Sequence, residues 1–134
     1  MKRFLFATCL AALAASPAAT SDLPMSGPEF RAASEGWTLY FETLDGEYFG
    51  AEQYFENGES LWSPVGAQCI PGVWRAYDER ICFVHYNDLA CWRVYGEDGE
   101  VAYAQSAEPN DTGLTLRVTR RDKSPVLCGE DAGV

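Results

Sequence analysis

The chain has 134 residues, 47% of them hydrophobic and 13% aromatic, with 20 acidic against 10 basic side chains and a net charge of −10. That length suits one domain. The charge argues against a nucleic-acid partner or an anionic membrane surface, because both are held by Lys and Arg.

The first twenty residues set the compartment. Lys2 and Arg3 precede an apolar run from Phe4 to Ala15, and the small-residue stretch Ser16-Pro17-Ala18-Ala19-Thr20 follows. A basic start, a short apolar run and a small-residue end are the parts of a secretory signal peptide. The run is shorter than the roughly 20 apolar residues a spanning helix needs. Residues 1–20 are therefore predicted to be a signal peptide. Residues 21–134 are predicted to form a single disulfide-stabilised β domain, periplasmic or secreted after cleavage, with no stable membrane insertion. Cys9 lies inside the apolar run, three residues after bulky Phe6, which is a poor setting for lipid attachment. Its loss with the signal leaves Cys69, Cys82, Cys91 and Cys128. An even count in an exported chain reads as two disulfides with three possible connectivities.

Beyond a loose Ser-, Pro- and Gly-containing leader, Glu29 to Ala33 is the one stretch of helical character. Pro28 suits the first helical position and Gly36 the end. Strands and tight turns fill the rest. Trp37 to Phe41 alternates, with Trp37, Leu39 and Phe41 on one face. Asp45-Gly46 turns the chain into a strand from Tyr48 to Phe55, with Gly50 as a candidate bulge. Asn57-Gly58 between Tyr54-Phe55 and Leu61-Trp62 signals a hairpin, since both turn positions need positive φ. Pro64 to Pro71 reads as a loop holding Cys69. Strands follow at Val73–Tyr77, Arg80–Tyr86, Ala90–Tyr95 and Glu100–Gln105, each reached by a short turn rich in Asn, Asp, Glu or Gly. A polar loop over Ala107–Thr112 leads to the last strand, where Leu114, Leu116 and Val118 alternate with Thr115, Arg117 and Thr119. The predicted fold is mainly β, an antiparallel meander of about eight strands forming a small barrel or sandwich, with one short N-terminal helix.

A two-residue turn at Tyr86-Asn87 would set His85 opposite Asp88, Val84 opposite Leu89, and Cys82 opposite Cys91. Directly opposed strand residues are close enough to bridge. Cys82–Cys91 is the predicted pair, and Cys69–Cys128 follows by elimination.

Chemistry-bearing residues are sparse. His85 is the only histidine, and a lone His in a strand is ordinarily structural. With Asp88 facing it, it would form a pair of mildly raised pKa. No GxSxG setting, dinucleotide fingerprint or phosphate-binding loop is present. No CxxC pair or zinc-type spacing occurs either, so no cofactor, metal or catalytic residue is assigned. The many acids sit mostly in turns. The aromatic side chains are the better candidates. Trp37, Tyr40, Trp62, Trp74, Tyr86 and Trp92 exceed what so small a core needs. Core filling accounts for many such rings; an aromatic-lined cavity or face for a ligand is the functional alternative. Arg117, Arg120, Arg121 and Lys123 form the one basic group, suited to local charge balance or to an anionic ligand.

A pattern runs through the exported part: Glu29-Phe30, Gly36-x-Thr38-Leu39, Gly46-x-Tyr48-x-Gly50-x-Glu52-x-Tyr54, Trp62, Cys69, Gly72-x-Trp74. It closes with Ile81-Cys82-Phe83-x-x-Tyr86, Cys91-Trp92 and Leu127-Cys128-Gly129. The pattern resembles a family of small exported bacterial proteins that has no assigned activity, cofactor or catalytic residue. The resemblance implies export, one domain and a bacterial periplasm, and it implies no chemistry. The expectation is a non-enzymatic periplasmic module that binds a small ligand through its aromatic residues. The alternatives are a module that binds or inhibits an envelope protein, and a small hydrolase using carboxylates or His85.

Overall fold

The computed structural model describes residues 22–129; the predicted signal peptide, with Cys9, lies outside the described residues. A short helix, α1 (Gly27–Ser34), precedes eight strands: β1 (Thr38–Thr43), β2 (Tyr48–Tyr54), β3 (Glu59–Pro64), β4 (Ile70–Tyr77), β5 (Arg80–His85), β6 (Asp88–Glu97), β7 (Glu100–Ala107) and β8 (Thr115–Asp122). Every strand pairs antiparallel with its neighbours in sequence, and β1 also pairs with β8, so the meander closes into a barrel. Of the two predicted architectures, barrel and sandwich, the barrel forms. Closure leaves no sheet edge unpaired.

The turns do what their residues allow. Asn57 and Gly58 both take positive φ, as the hairpin signal requires, but within a short 3₁₀ turn over Glu56–Gly58 rather than a bare two-residue loop. The turn at Tyr86-Asn87 gives the predicted register, with His85 opposite Asp88 and Cys82 opposite Cys91. Beside Gly50, the register of β1 against β2 shifts so that Phe41 opposes Gly50 and Glu42 opposes Tyr48, leaving Phe49 as the extra residue. The loop expected over Pro64–Pro71 is shorter. β3 runs to Pro64 and β4 begins at Ile70, because Leu61 pairs with Pro71.

Helix α1 closes one end of the barrel. Ser26 caps it, its Oγ accepting from the Glu29 amide at 3.3 Å while the Glu29 carboxylate accepts from the Ser26 amide at 2.7 Å. That reciprocal box satisfies two donors at the helix start. Ahead of the cap, the Met25 amide donates to the Val94 carbonyl of β6. At Gly27 an added Cβ would lie 2.7 Å from the Ala76 Cβ, so the helix seats tightly against β4. Phe30 is the plug. It is 1% exposed and meets Tyr54, Trp74 and Phe83 edge-on at 5.5, 4.9 and 6.3 Å between ring centres.

After β8 the chain runs back across the outside of β1, β2 and β3 as a strap. Thr38 Oγ1 donates to the Ser124 carbonyl at 2.6 Å, the Val126 amide donates to Gln53 Oε1 at 3.2 Å, and Ser63 Oγ donates to the Leu127 carbonyl. The strap ends in the Cys69–Cys128 disulfide, which fastens it to the β3–β4 loop. The second disulfide, Cys82–Cys91, clamps β5 to β6. Cys82–Cys91 matches the prediction from the turn register, and Cys69–Cys128 the one made by elimination.

Most large apolar side chains of the strands face the interior, with Val73, Val84 and Leu89 exposed outside and Glu52 buried inside. No helix among the described residues is long and apolar enough to cross a membrane.

Two outcomes test this framework. Removing the plug ring in Phe30→Ala is expected to cost about 3–5 kcal/mol, read as a shift in the urea midpoint. Alkylation of the native protein without reductant is expected to label none of Cys69, Cys82, Cys91 and Cys128; a labelled thiol at any of them breaks the pairing.

Candidate functional site

The half of the barrel opposite α1 holds a cavity of about 170 Å³. It exists because small residues occupy inward positions of neighbouring strands. Directly opposed residues share a face of the sheet. The pairings Tyr54–Ser60, Ser60–Gly72 and Gly72–His85 therefore lay one inward row across β2, β3, β4 and β5. The two middle positions of that row carry almost no bulk. Ala90 and Ala104 do the same on β6 and β7, and both line the space.

The walls differ. Phe41, Phe49, Tyr54, Trp62, Phe83 and Trp92 present rings, with the Phe30 plug as the floor. The far wall is aliphatic, formed by Val94, Val101, Ala104 and Leu116. Burial grades along the axis. Phe30, Tyr54, Phe83 and Val94 are buried, whereas Phe49, Trp62, His85, Ala90 and Trp92 are half-buried around the mouth. At Gly50 a Cβ would stand 2.5 Å from the Trp62 ring, so the indole lies over that glycine. The ring then meets Phe49 at 5.7 Å and Phe41 at 6.3 Å.

Two polar groups break this apolar lining, and they touch. Glu52 projects inward from the middle of β2 and is 6% exposed. Its Oε1 lies 3.2 Å from His85 Nε2, and the Tyr54 hydroxyl donates to Oε2 at 3.4 Å. A buried polar group without hydrogen-bond partners is costly, and these two partners offset that cost. Burial pushes the Tyr54 phenol well above its usual range, and the neighbouring carboxylate pushes it further, so the hydroxyl keeps its proton and donates. His85 reaches Glu52 by lying across Gly72, where a Cβ would stand 2.5 Å from Cδ2 and 2.8 Å from Nε2. The Cδ2–Nε2 edge of the imidazole thus faces the β4 wall and the carboxylate. The Nδ1 edge faces away from that wall.

Ser60, in the same inward row, has a buried hydroxyl with no hydrogen-bond partner in the protein. No cluster of three or more His, Cys, Asp or Glu side chains suited to a metal occurs among the described residues.

The six aromatic residues singled out from the sequence fall into separate places. Trp62 and Trp92 line the cavity mouth. Trp74 is buried against the Phe30 plug, with the Arg31 guanidinium 4.8 Å from its ring centre. Trp37 is held between Arg121 at 3.6 Å and Lys123 at 4.1 Å, and Tyr40 sits under Arg120 at 3.8 Å. Those stacks occupy three of the four cations of the basic group. Arg121 also pairs with Glu100 at 3.4 Å and Arg120 with Asp122 at 3.5 Å. Tyr86 is 73% exposed at the β5–β6 turn. The six do not form one surface. The sequence reading left out Glu52 and set His85 against Asp88. The pairing with Asp88 holds along the backbone, but the side chain turns inward to Glu52. One signal was available: Leu39, Glu52 and Tyr54 share a face through strand alternation, which puts an acid among core positions.

Comparison with protein-family models, with curated proteins and with solved structures finds no match to this chain.

Gly72→Ala is expected to displace the imidazole from Glu52 and to destabilise the fold by about 1–3 kcal/mol. Because His85 is the only histidine, its ring signals in a ¹H–¹⁵N NMR spectrum report the displacement alone. Unchanged signals would mean the ring does not rest on Gly72.

Proposed function

We propose that this protein is a periplasmic ligand-binding barrel of a small exported bacterial family, taking one compact, largely apolar molecule into the cavity between Trp62, Trp92 and the Phe30 plug. The observation that carries this reading is the cavity itself. It is closed at one end, half-open at the other, and lined by rings around a single polar pair. Concave apolar sites with a few convergent polar groups are the usual form of a small-molecule site. Its volume is near that of a dry engineered cavity of roughly 150 Å³ known to accept benzene, so the ligand is a single ring or a branched chain of that bulk.

The two disulfides support the same reading by where they act. Cys82–Cys91 clamps the hairpin that presents His85, Ala90 and Trp92, and Cys69–Cys128 holds the loop that follows Trp62-bearing β3. A braced mouth lowers the ordering cost of binding. Export to a disulfide-forming compartment, read from residues 1–20, fits that use.

Binding is favoured over hydrolysis because the lining offers one carboxylate, Glu52, where paired-acid chemistry needs two. No Ser, Thr or Cys lines the cavity to act as a nucleophile. A protein-partner role has one observation of its own, the exposed apolar row Val73–Val84–Leu89 on the outside of β4, β5 and β6.

Titration with benzyl alcohol, followed through the His85 ring signals, is expected to give a saturable shift. Ala90→Phe, which sets a ring in the mouth, is expected to abolish that shift while leaving the circular-dichroism spectrum unchanged. A linear, unsaturable response, or one that survives Ala90→Phe, would remove the cavity as the binding site.

A further inference from the structure

We infer that the ligand class of this cavity is a small organic cation, an ammonium group carried on a compact apolar body. The inference rests on the cavity being the binding site and adds the charge of what enters it.

The ionisable side chains lining the cavity are Glu52, Tyr54 and His85, and no Lys or Arg is among them. Tyr54 keeps its proton, as derived above, and donates to the Glu52 carboxylate. Glu52 is thus the one acidic side chain among the described residues that line the cavity, with no Lys or Arg beside it, and an ammonium group is the ligand charge that complements it.

The rings add to this. Ammonium groups are attracted to the faces of Trp, Tyr and Phe, and more strongly once desolvated. Trp62, Trp92, Phe49 and Phe41 line the same cavity as Glu52, so a cation bound there has aromatic rings beside it. Rings enclosing one acidic group are the chemistry that recognises alkylated ammonium ions. The field of the whole chain acts in the same direction. A protein of net charge −10 concentrates cations near its surface and repels anions. The chain's basic group does not offset this at the cavity, because Arg120, Arg121 and Lys123 are stacked on Tyr40 and Trp37, neither of which lines it.

The test compares choline with its uncharged carbon isostere, 3,3-dimethylbutan-1-ol, by calorimetric titration of the wild-type protein. Choline is expected to bind at least about tenfold more tightly, the ratio that a desolvated cation–ring interaction supports. In Glu52→Gln, with folding checked by circular dichroism, the ratio of the two affinities is expected to fall towards one. The wild-type comparison needs no variant: equal affinities for the two probes would overturn the cation assignment and leave the cavity reading standing. Binding of neither probe, together with no saturable response to benzyl alcohol, would overturn both.

Discussion

Closure of the sheet between β1 and β8 is the constraint on which the rest of this structure depends. Once the eight strands meet, no edge remains to be covered and every second residue of every strand faces a shared interior. What those inward residues are then decides everything else. Large ones next to α1 fill the space. Small ones in the other half leave it open, and the same geometry that removes edges from the sheet encloses a cavity.

The interior is not uniformly apolar, and the exception is organised. Glu52 is buried with two hydrogen-bond partners, one from its own strand and one from β5, the third strand along. The His85 contact crosses β3 and β4, possible only because Ser60 and Gly72 lie between. A bulky residue at either place would separate the carboxylate from the imidazole and leave a buried charge with one partner fewer, a costly state. The row Tyr54–Ser60–Gly72–His85 thus accounts for the polar pair, while Ala90 and Ala104 are the small residues that line the cavity. The buried, unpartnered hydroxyl of Ser60 belongs to that row as well.

Much of the outer surface is explained by the need to hold this arrangement still. The basic group near the end of β8 is spent on Trp37 and Tyr40, together with Glu100 and Asp122. The strap after β8 binds β1, β2 and β3 from outside through Thr38, Gln53 and Ser63. Thr38 and Ser63, polar residues buried at strand positions that alternation alone would place on the surface, have their explanation in that strap. The two disulfides act on the walls of the open end, and α1 acts on the closed end. Rigidity is thus supplied separately to floor and mouth.

Local chemistry was enough to make most of the fold legible. Turn residues, period-two alternation and the length of each run specify eight strands in meander order, and the two-residue turn at Tyr86-Asn87 specifies the Cys82–Cys91 bridge through register alone. Element ends were less legible where tertiary pairing carried a strand onward, as at Pro71 in β4 and beyond Val118 in β8. Barrel against sandwich was decided by β1 meeting β8, a contact between the two ends of the sheet that no local signal encodes. The site was the least legible part. An excess of aromatic residues says that rings are available, but Trp62 and Trp92 reach the cavity while Trp37, Tyr40 and Tyr86 do not. The sequence by itself determined the strands, their order and the Cys82–Cys91 bridge, because those follow from interactions between near neighbours; Cys69–Cys128, 59 residues apart, followed from it only by elimination. Only the tertiary structure decided that Glu52 and His85 meet inside the barrel, because that contact depends on shear across four strands and on two small residues lying between them.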